Sequence, residues 1–305
     1  MSPLFVLILA VLATTYAGPI VRLAAAPALA IAFWRLTLVL PVTGGLAVLE
    51  GRREMGDGRS GPHRNVLLPS PISLSLMVLS GLLLALHFWT WIASLRFTTV
   101  ASSVVLVSLK PIFVWALAAA WLHEHPSRRE GWGIGIAVLG ATLIGIGDAR
   151  LSLGALGGDA LALAGALTAA GYYVIGRRVR ATVGVWTYAT VVYAVAALAL
   201  LAIALSRGIP LTGFAGRDWA VFGALAAGPM LLGHTGMNYA LKFYRATTVN
   251  VAALGEPVGA TLIAWLGLHE TPPALALLGG AVVVAGIGVT LTARSTEHGA
   301  RSNKP

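Results

Sequence analysis

Long apolar runs separated by short polar connections dominate the chain, whose 305 residues are 57% hydrophobic and 10% charged. A helix needs about 20 apolar residues to cross a bilayer core. The runs are too long for strands and lack the residue-by-residue alternation of an outer-membrane barrel. The pattern predicts an all-α integral membrane protein with ten transmembrane helices. The predicted segments are 4–23, 28–49, 71–94, 100–121, 130–147, 158–177, 185–205, 218–241, 247–267 and 273–293.

Basic residues are unevenly distributed over the connections between these segments. With the N-terminus placed inside, the inner connections and the C-terminal tail hold fourteen Lys and Arg residues, and the outer connections hold five. Lys and Arg accumulate on the cytoplasmic side of membrane proteins. This bias predicts a multi-pass plasma-membrane protein with both termini cytoplasmic. It also explains the formal net charge of +10, so no nucleic-acid partner is expected.

The chain repeats itself at a shift of 146 or 147 residues. The matching pairs are Pro111 with Pro257, Leu122-His123-Glu124 with Leu268-His269-Glu270, Pro126 with Pro272, Gly133 with Gly279, Gly140 with Gly286, His87 with His234 and Ala93 with Ala240. An ordered series of this kind indicates an internal repeat. It predicts two domains, residues 1–149 and 150–305, with five helices each.

An odd number of helices in each half requires the second half to enter the membrane from the opposite side. The prediction is therefore an inverted repeat, which is common in transporters and places the substrate site near the midplane between the halves. Small residues recur along the fifth and tenth helices, which predicts close packing of the halves against each other. A monomer is expected, with a dimer through small-residue faces as the alternative.

Two long stretches of the chain are "ALHFWTWIASLRFTTVASSVVLVSLKPIF" (85–113) and "GHTGMNYALKFYRATTVNVAALGEPVGATLIAWLGLHE" (233–270). The first resembles the third and fourth helices, and the second the eighth and ninth helices, of the EamA-like, ten-helix members of the drug/metabolite transporter superfamily. "FWRL" (33–36) fits the arginine often found in the second helix. "WLHE" and "GLHE" stand where the family usually has Leu-Gly-Glu, with His in place of Gly. The resemblance implies the fold and transport, with export as the direction, but no particular substrate.

Two opposite charges lie in equivalent positions of the repeat, each directly before a proline: Lys110 before Pro111 and Glu256 before Pro257. An ionised side chain at the bilayer centre costs at least about 2.5 kcal/mol and is usually functional. A proline removes a backbone donor and bends the helix, which is tolerated where the backbone lines a polar cavity. Lys110 and Glu256 are interpreted as a pair in or beside the substrate cavity, with proton exchange as a hypothesis. The alternative is an ion pair that locks the helices together.

Polar and aromatic stripes supply further candidates. His87 and Trp91 share a helix face, and His234 and Asn238 share one in the repeat counterpart. They could bind substrate or relay protons, or the histidines could fix helix packing. Aromatic and hydroxyl groups of the first and sixth helices could line the cavity, or belt the membrane interface. These are Tyr16, Thr168 and Tyr172.

Three charged residues are assigned structural roles. Arg35 is expected to anchor the second helix by extending to the outer interface, or to pair with a carboxylate. Glu124 and Glu270 are expected to cap the helices that follow them.

These features predict a secondary transporter that exports a small metabolite or drug by alternating access. Charges of both signs favour an amino-acid-like or amphipathic substrate, and membrane lipids are the expected surroundings. The chain has no cysteine and no Gly-x4-Gly-Lys-Ser/Thr loop, so ATP is not the predicted energy source and no cofactor or metal is expected. The alternative is an intramembrane enzyme that uses His87, His234 and Glu256 as acid and base on a lipid or lipid-linked substrate.

Overall fold

Helices make up the regular structure of the described residues, which are 2–56, 70–98, 103, 106–124, 127–148, 156–259, 262 and 274–302 of a computed structural model. The helices, numbered in chain order, are α1 Pro3–Val21, α2 Ala28–Arg53, α3 Pro71–Phe97, α4 Lys110–Leu122, α5 Arg128–Asp148, α6 Leu156–Val179, α7 Val185–Ser206, α8 Gly216–Ala240, α9 Ala246–Ala252 and α10 Ala274–Ser302. Of these, α1, α2, α3, α6, α7 and α8 are long and apolar enough to cross a membrane. The chain is therefore a multi-pass membrane protein.

Local sequence explains where several helices begin. Ser2 and Ser70 each accept a hydrogen bond from a backbone N–H three residues later, at 3.2 Å, and each is followed by proline at the first helical position. Serine satisfies a free amide at a helix start, and proline has no amide to leave unpaired there. At the start of α5, Ser127 and Glu130 exchange hydrogen bonds of 2.8 and 3.2 Å as a capping box.

The fourth and ninth segments differ from the continuous helices predicted over 100–121 and 247–267. Helix α4 begins at Lys110, with Pro111 in its first turn. Helix α9 ends at Ala252, and a turn at Ala253 and Leu254 precedes a further helical stretch over 255–259. Proline fits the first turn of a helix better than its interior. Each proline therefore begins a new helical stretch, and each ionisable residue lies at the break.

A left-handed residue ends α4. His123 has φ 54°, and the N–H of Glu124 donates to the carbonyl of Ala118 at 3.2 Å. This is the geometry that usually places glycine after the last helical residue. It gives a physical reason to expect glycine at this position, as in the family that the sequence resembles.

Packing between the helices brings distant parts of the sequence together. Helix α1 packs on α8, α3 on α6 and α7, and α2 on α7, while α4 contacts α6 and α9. Helix α10 lies along α5. Aromatic and aliphatic side chains from α2, α3, α6, α7 and α8 form the main buried core.

The close packing of α5 on α10 depends on the small residues expected from the sequence. A β-carbon on Gly140 would lie 2.5 Å from the backbone nitrogen of Val283. A β-carbon on Gly286 would collide with Ala137, and one on Gly133 would collide with Thr290. The two backbones therefore approach as closely as glycine permits.

Candidate functional site

A cavity of about 110 Å³ lies where α1, α2, α3 and α8 meet α4 with the residues before it and α9 with the segment after it. Its polar lining is Thr14, Thr15, Arg35, His87, Ser108, Lys110, His234, Asn250 and Glu256. Its apolar lining includes Phe88, Trp91, Val107, Pro229, Ala253, Leu254 and Pro257. Residues from both halves of the sequence thus contribute to one polar space inside an apolar helical protein.

Lys110 and Glu256 both line this cavity. Lys110 is 8% exposed, and its Nζ lies 5.3 Å from the ring centroid of Tyr173. Among the described residues, the ion pairs within 4.0 Å join Arg177 to Glu124 and Arg245 to Glu130, so Lys110 and Glu256 are not in direct contact. They line the same cavity and attract each other electrostatically across it.

At the helix break beside Glu256, the backbone groups form hydrogen bonds within the same segment. The N–H of Glu256 donates to the carbonyl of Ala253 at 3.0 Å, a tight turn in place of the regular helical bond. The carbonyl of Ala253, four residues before Pro257, therefore accepts a hydrogen bond although the proline itself has no N–H to donate. The polar character of this part of the lining comes from side chains.

The two histidines lie near each other, with ring centroids 6.3 Å apart. His87 Nδ1 is 2.9 Å from the carbonyl oxygen of Gly165. A carbonyl can only accept, so Nδ1 carries the proton and Nε2 is the acceptor in neutral His87. The ring of Trp91 lies nearly parallel to that of His87, at 6.2 Å. The cavity wall is therefore aromatic as well as polar at this point.

A buried network of hydroxyl and amide groups lies behind the cavity. Asn238 Nδ2 donates to the Tyr172 hydroxyl at 2.6 Å, and Tyr193 and Thr235 hydroxyls are 2.9 Å apart. The Tyr173 hydroxyl is 3.4 Å from His234 Nδ1. These contacts connect α6 and α7 to α8, and the Tyr173 hydroxyl helps to position His234.

Several predicted site residues lie outside the cavity lining. Asn238 and Tyr172 belong to the network behind it. Thr168 donates to the carbonyl of its own helix at Ala164, at 2.7 Å. Tyr16 contacts Gly228 of α8, although its neighbours Thr14 and Thr15 line the cavity.

Arg35 differs most from its expected place. It was expected at the outer interface, but its side chain is 1% exposed and lines the cavity. The guanidinium carbon lies 4.1 Å from the ring centroid of Phe88. Its Nε and Nη1 have no hydrogen-bond partner among the described residues. A cation–π contact on an aromatic face holds the group in the interior and leaves these donors open.

The two acidic residues assigned to helix caps have different outcomes. Glu124 binds Arg177 of α6, with Oε1 2.9 Å from Nε. Ser127 and Glu130 cap α5 in its place, because their three-residue spacing matches the capping box. Glu270 lies outside the described residues.

Asn250 is a lining residue that the sequence-based candidates omit. It is fully buried, its Nδ2 donates to the carbonyl of Ala246 at 2.9 Å, and its Oδ1 has no partner among the described residues. A signal was present in the sequence: Asn250, Ala253, Leu254 and Pro257 follow an i, i+3, i+4, i+7 pattern, and all four line the cavity. A side-chain amide in an apolar membrane segment marks a face that avoids lipid.

Known proteins resemble this chain in fold and in sequence. A protein of known crystal structure superposes with a TM-score of 0.72 over 96% of this chain and 99% of its own, at 20% identity, which shows a shared fold. The pseudopaline exporter CntI of Pseudomonas aeruginosa is 29% identical over 212 residues, which are 68% of this chain and 72% of the exporter. The probable terminal-alkyne amino-acid exporter of Streptantibioticus cattleyicolor is 28% identical over 188 residues, 60% of this chain and 61% of that protein.

A family model reaches over nearly the whole length of the sequence. The model describes EamA-like transporters, and it matches residues 1–146 and again residues 156–292. The chain therefore belongs to the EamA-like transporter family.

Proposed function

We propose that this protein is a secondary transporter that exports a small amino-acid-like metabolite by alternating access through the cavity described above. The observation that carries the proposal is the composition of the cavity wall. Lys110 and Glu256 supply charges of opposite sign, His87 and His234 supply polar rings, and the residues come from both halves of the chain. Intramembrane ionisable groups that face a cavity mark substrate or ion pathways.

The helix contacts support an inverted repeat of residues 1–149 and 150–305 as the architecture. If helices five places apart are counterparts, then α2 on α7, α4 on α9 and α5 on α10 are contacts between counterparts. One further pair of contacts exchanges in the same way, because α3 on α6 becomes α8 on α1. The separate family matches to 1–146 and 156–292 support the same division. This arrangement suits access from two sides of a membrane.

Two relatives support export, and one of them supports an amino-acid-like substrate. One is named an exporter of pseudopaline and another a probable amino-acid exporter. A free amino acid carries an ammonium and a carboxylate. Glu256 and the unpartnered Asn250 Oδ1 could accept from the ammonium, and the cations of the cavity could bind the carboxylate.

The coupling and the orientation are part of the same proposal. Glu256 and Lys110 are the groups that we assign to proton exchange during the transport cycle. The excess of basic residues in the inner connections supports cytoplasmic termini in the plasma membrane. Export is then driven by the proton gradient rather than by a nucleotide.

Counterflow in proteoliposomes tests the proposal directly. Vesicles containing the purified protein are loaded with unlabelled amino acids and diluted into a trace of the labelled compound. We expect transient, saturable accumulation of label, abolished when the loaded amino acid is omitted. Label that equilibrates without accumulating would indicate a pore, and chemical conversion of a lipid-linked substrate in detergent would favour the enzymatic alternative.

A further inference from the structure

Arg35 carries a buried charge whose bonding potential is not used by the protein. Its side chain is 1% exposed, it lines the cavity, and Nε and Nη1 have no partner among the described residues. A guanidinium is not neutralised in proteins and offers five N–H donors. Leaving such donors unpaired in the interior costs free energy. A site that is built to bind an anion would account for this cost.

A guanidinium has two edges that can bind a carboxylate. One edge presents Nε and a terminal nitrogen, and the other presents the two terminal nitrogens. In Arg35 the first edge includes the unpartnered Nε, and the second includes the unpartnered Nη1. Carboxylates commonly accept two parallel hydrogen bonds from such an edge. The ring centroid of Phe88 lies 4.1 Å from the guanidinium carbon, and this side chain has no oxygen or nitrogen acceptor, so it leaves Nε and Nη1 open for an anion.

The charges of the described lining indicate the charge of the ligand group. The lining holds the cations Arg35 and Lys110 and the carboxylate of Glu256. With neutral histidines, one positive charge remains unbalanced. Because charges interact strongly in a low-dielectric interior, this excess of positive charge favours an anionic group in the ligand.

We propose that Arg35 binds the carboxylate of the transported metabolite through its guanidinium edge. This inference rests on the proposed function, since it assigns a substrate group to a residue in the same cavity. A carboxylate brings a negative charge to the cationic cavity and two acceptor oxygens to the planar donor edge.

Thermal melting of the purified full-length protein in detergent tests this assignment. The probes are L-phenylalanine, L-leucine and L-methionine, each compared with its own carboxamide, together with phosphoethanolamine. A ligand that binds the folded state raises the melting temperature. We expect at least one free acid to stabilise the protein and its carboxamide to bind about 10- to 100-fold more weakly, because the amide has lost the charged acceptor. Equal stabilisation by acid and amide, no response to any free acid, or a stronger response to phosphoethanolamine would overturn the proposal.

Variants of Arg35 provide a second test of the assignment. Arg35→Gln should abolish the difference between acid and amide, and Arg35→Lys should keep part of it, since an ammonium retains the charge without the planar edge. The matched control is Arg180→Lys: Arg180 is 2% exposed, donates to the carbonyls of Asn238 and Val183, and lies outside the cavity lining. The control should discriminate acid from amide as the wild type does. Loss of discrimination in Arg180→Lys alone would count against Arg35, and the wild-type acid–amide comparison remains decisive if an Arg35 variant fails to fold.

Counterflow with the same compounds separates this proposal from the proposed function. Transport of a carboxamide at the rate of its acid would leave the transporter proposal standing and remove the Arg35 assignment. Binding of the acids in detergent without any counterflow would keep the Arg35 assignment and remove the transport proposal.

Discussion

The hydroxyl group of Tyr16 occupies the position in which a β-carbon on Gly228 would lie. Tyr16 lies at the turn within α1, and Gly228 lies in the wider, π-type part of α8 beside Pro229. The neighbouring residues of α1 contact glycines in the same way, since Thr14 lies against Gly233. A ring of tyrosine size therefore fits between α1 and α8 because the facing position is glycine.

The substitution Gly228→Ala should destabilise the protein by about 1–3 kcal/mol, because the added methyl group overlaps the tyrosine ring. The control is Gly223→Ala in the same helix, where a β-carbon meets nothing within 4 Å. Thermal melting of the two purified variants checks the prediction. A second change, Tyr16→Ala, should recover most of the loss in the Gly228 variant, and failure to recover would show that the contact with Tyr16 is not the cause.

The contact between α5 and α10 allows a similar comparison. Gly140→Ala should lower stability by about 1–3 kcal/mol, since the new β-carbon would lie 2.5 Å from the backbone nitrogen of Val283 and 2.6 Å from the carbonyl of Gly279. Gly135→Ala, on an open face of the same helix, should be neutral or stabilising because alanine favours the helix. Melting temperatures of the pair give the measurement. Equal losses at both positions would contradict close packing as the cause.

The general fold could be predicted because hydrophobic run length is a direct physical requirement of the bilayer. Six of the predicted segments correspond to helices long and apolar enough to cross a membrane. The breaks at Lys110 and after Ala252 were harder to place. A proline can kink a helix or begin one, and the choice depends on packing between helices that the local sequence does not specify.

The candidate site could be predicted only in part from the sequence, because some of its residues are positioned by packing between helices. Lys110, Glu256 and both histidines were identifiable because a polar group in an apolar run must avoid lipid. Arg35 is near a helix end, where extension to the interface is the usual outcome. Its inward course depends on Phe88, a residue of another helix, and that contact is a property of tertiary packing.

The residue His123 gives a prediction about stability alone. It has φ 54° at the end of α4, and a residue with a β-carbon is strained in the left-handed region. His123→Gly should raise stability by about 1 kcal/mol, measured as a higher melting temperature in detergent, while His123→Ala should give no such gain. A gain in the alanine variant alone would mean that the imidazole, rather than the backbone, carries the strain.

Among the described residues that line the cavity, Glu256 contributes the negative charge. Lys110 and Arg35 contribute the positive charges. Glu256→Gln keeps the shape of the side chain but leaves two cations in the cavity without a carboxylate, so both counterflow and thermal stability should fall. Counterflow should decrease by about 10-fold or more if the carboxylate takes part in the cycle, since one interaction with a charged group contributes about 1.5–3 kcal/mol. Glu124→Gln is the matched control, because Glu124 binds Arg177 away from the cavity lining and should transport as the wild type does. If Glu256→Gln folds, binds the free amino acids and transports at the wild-type rate over the full pH range, then Glu256 has no part in coupling, and the charge balance must come from another group.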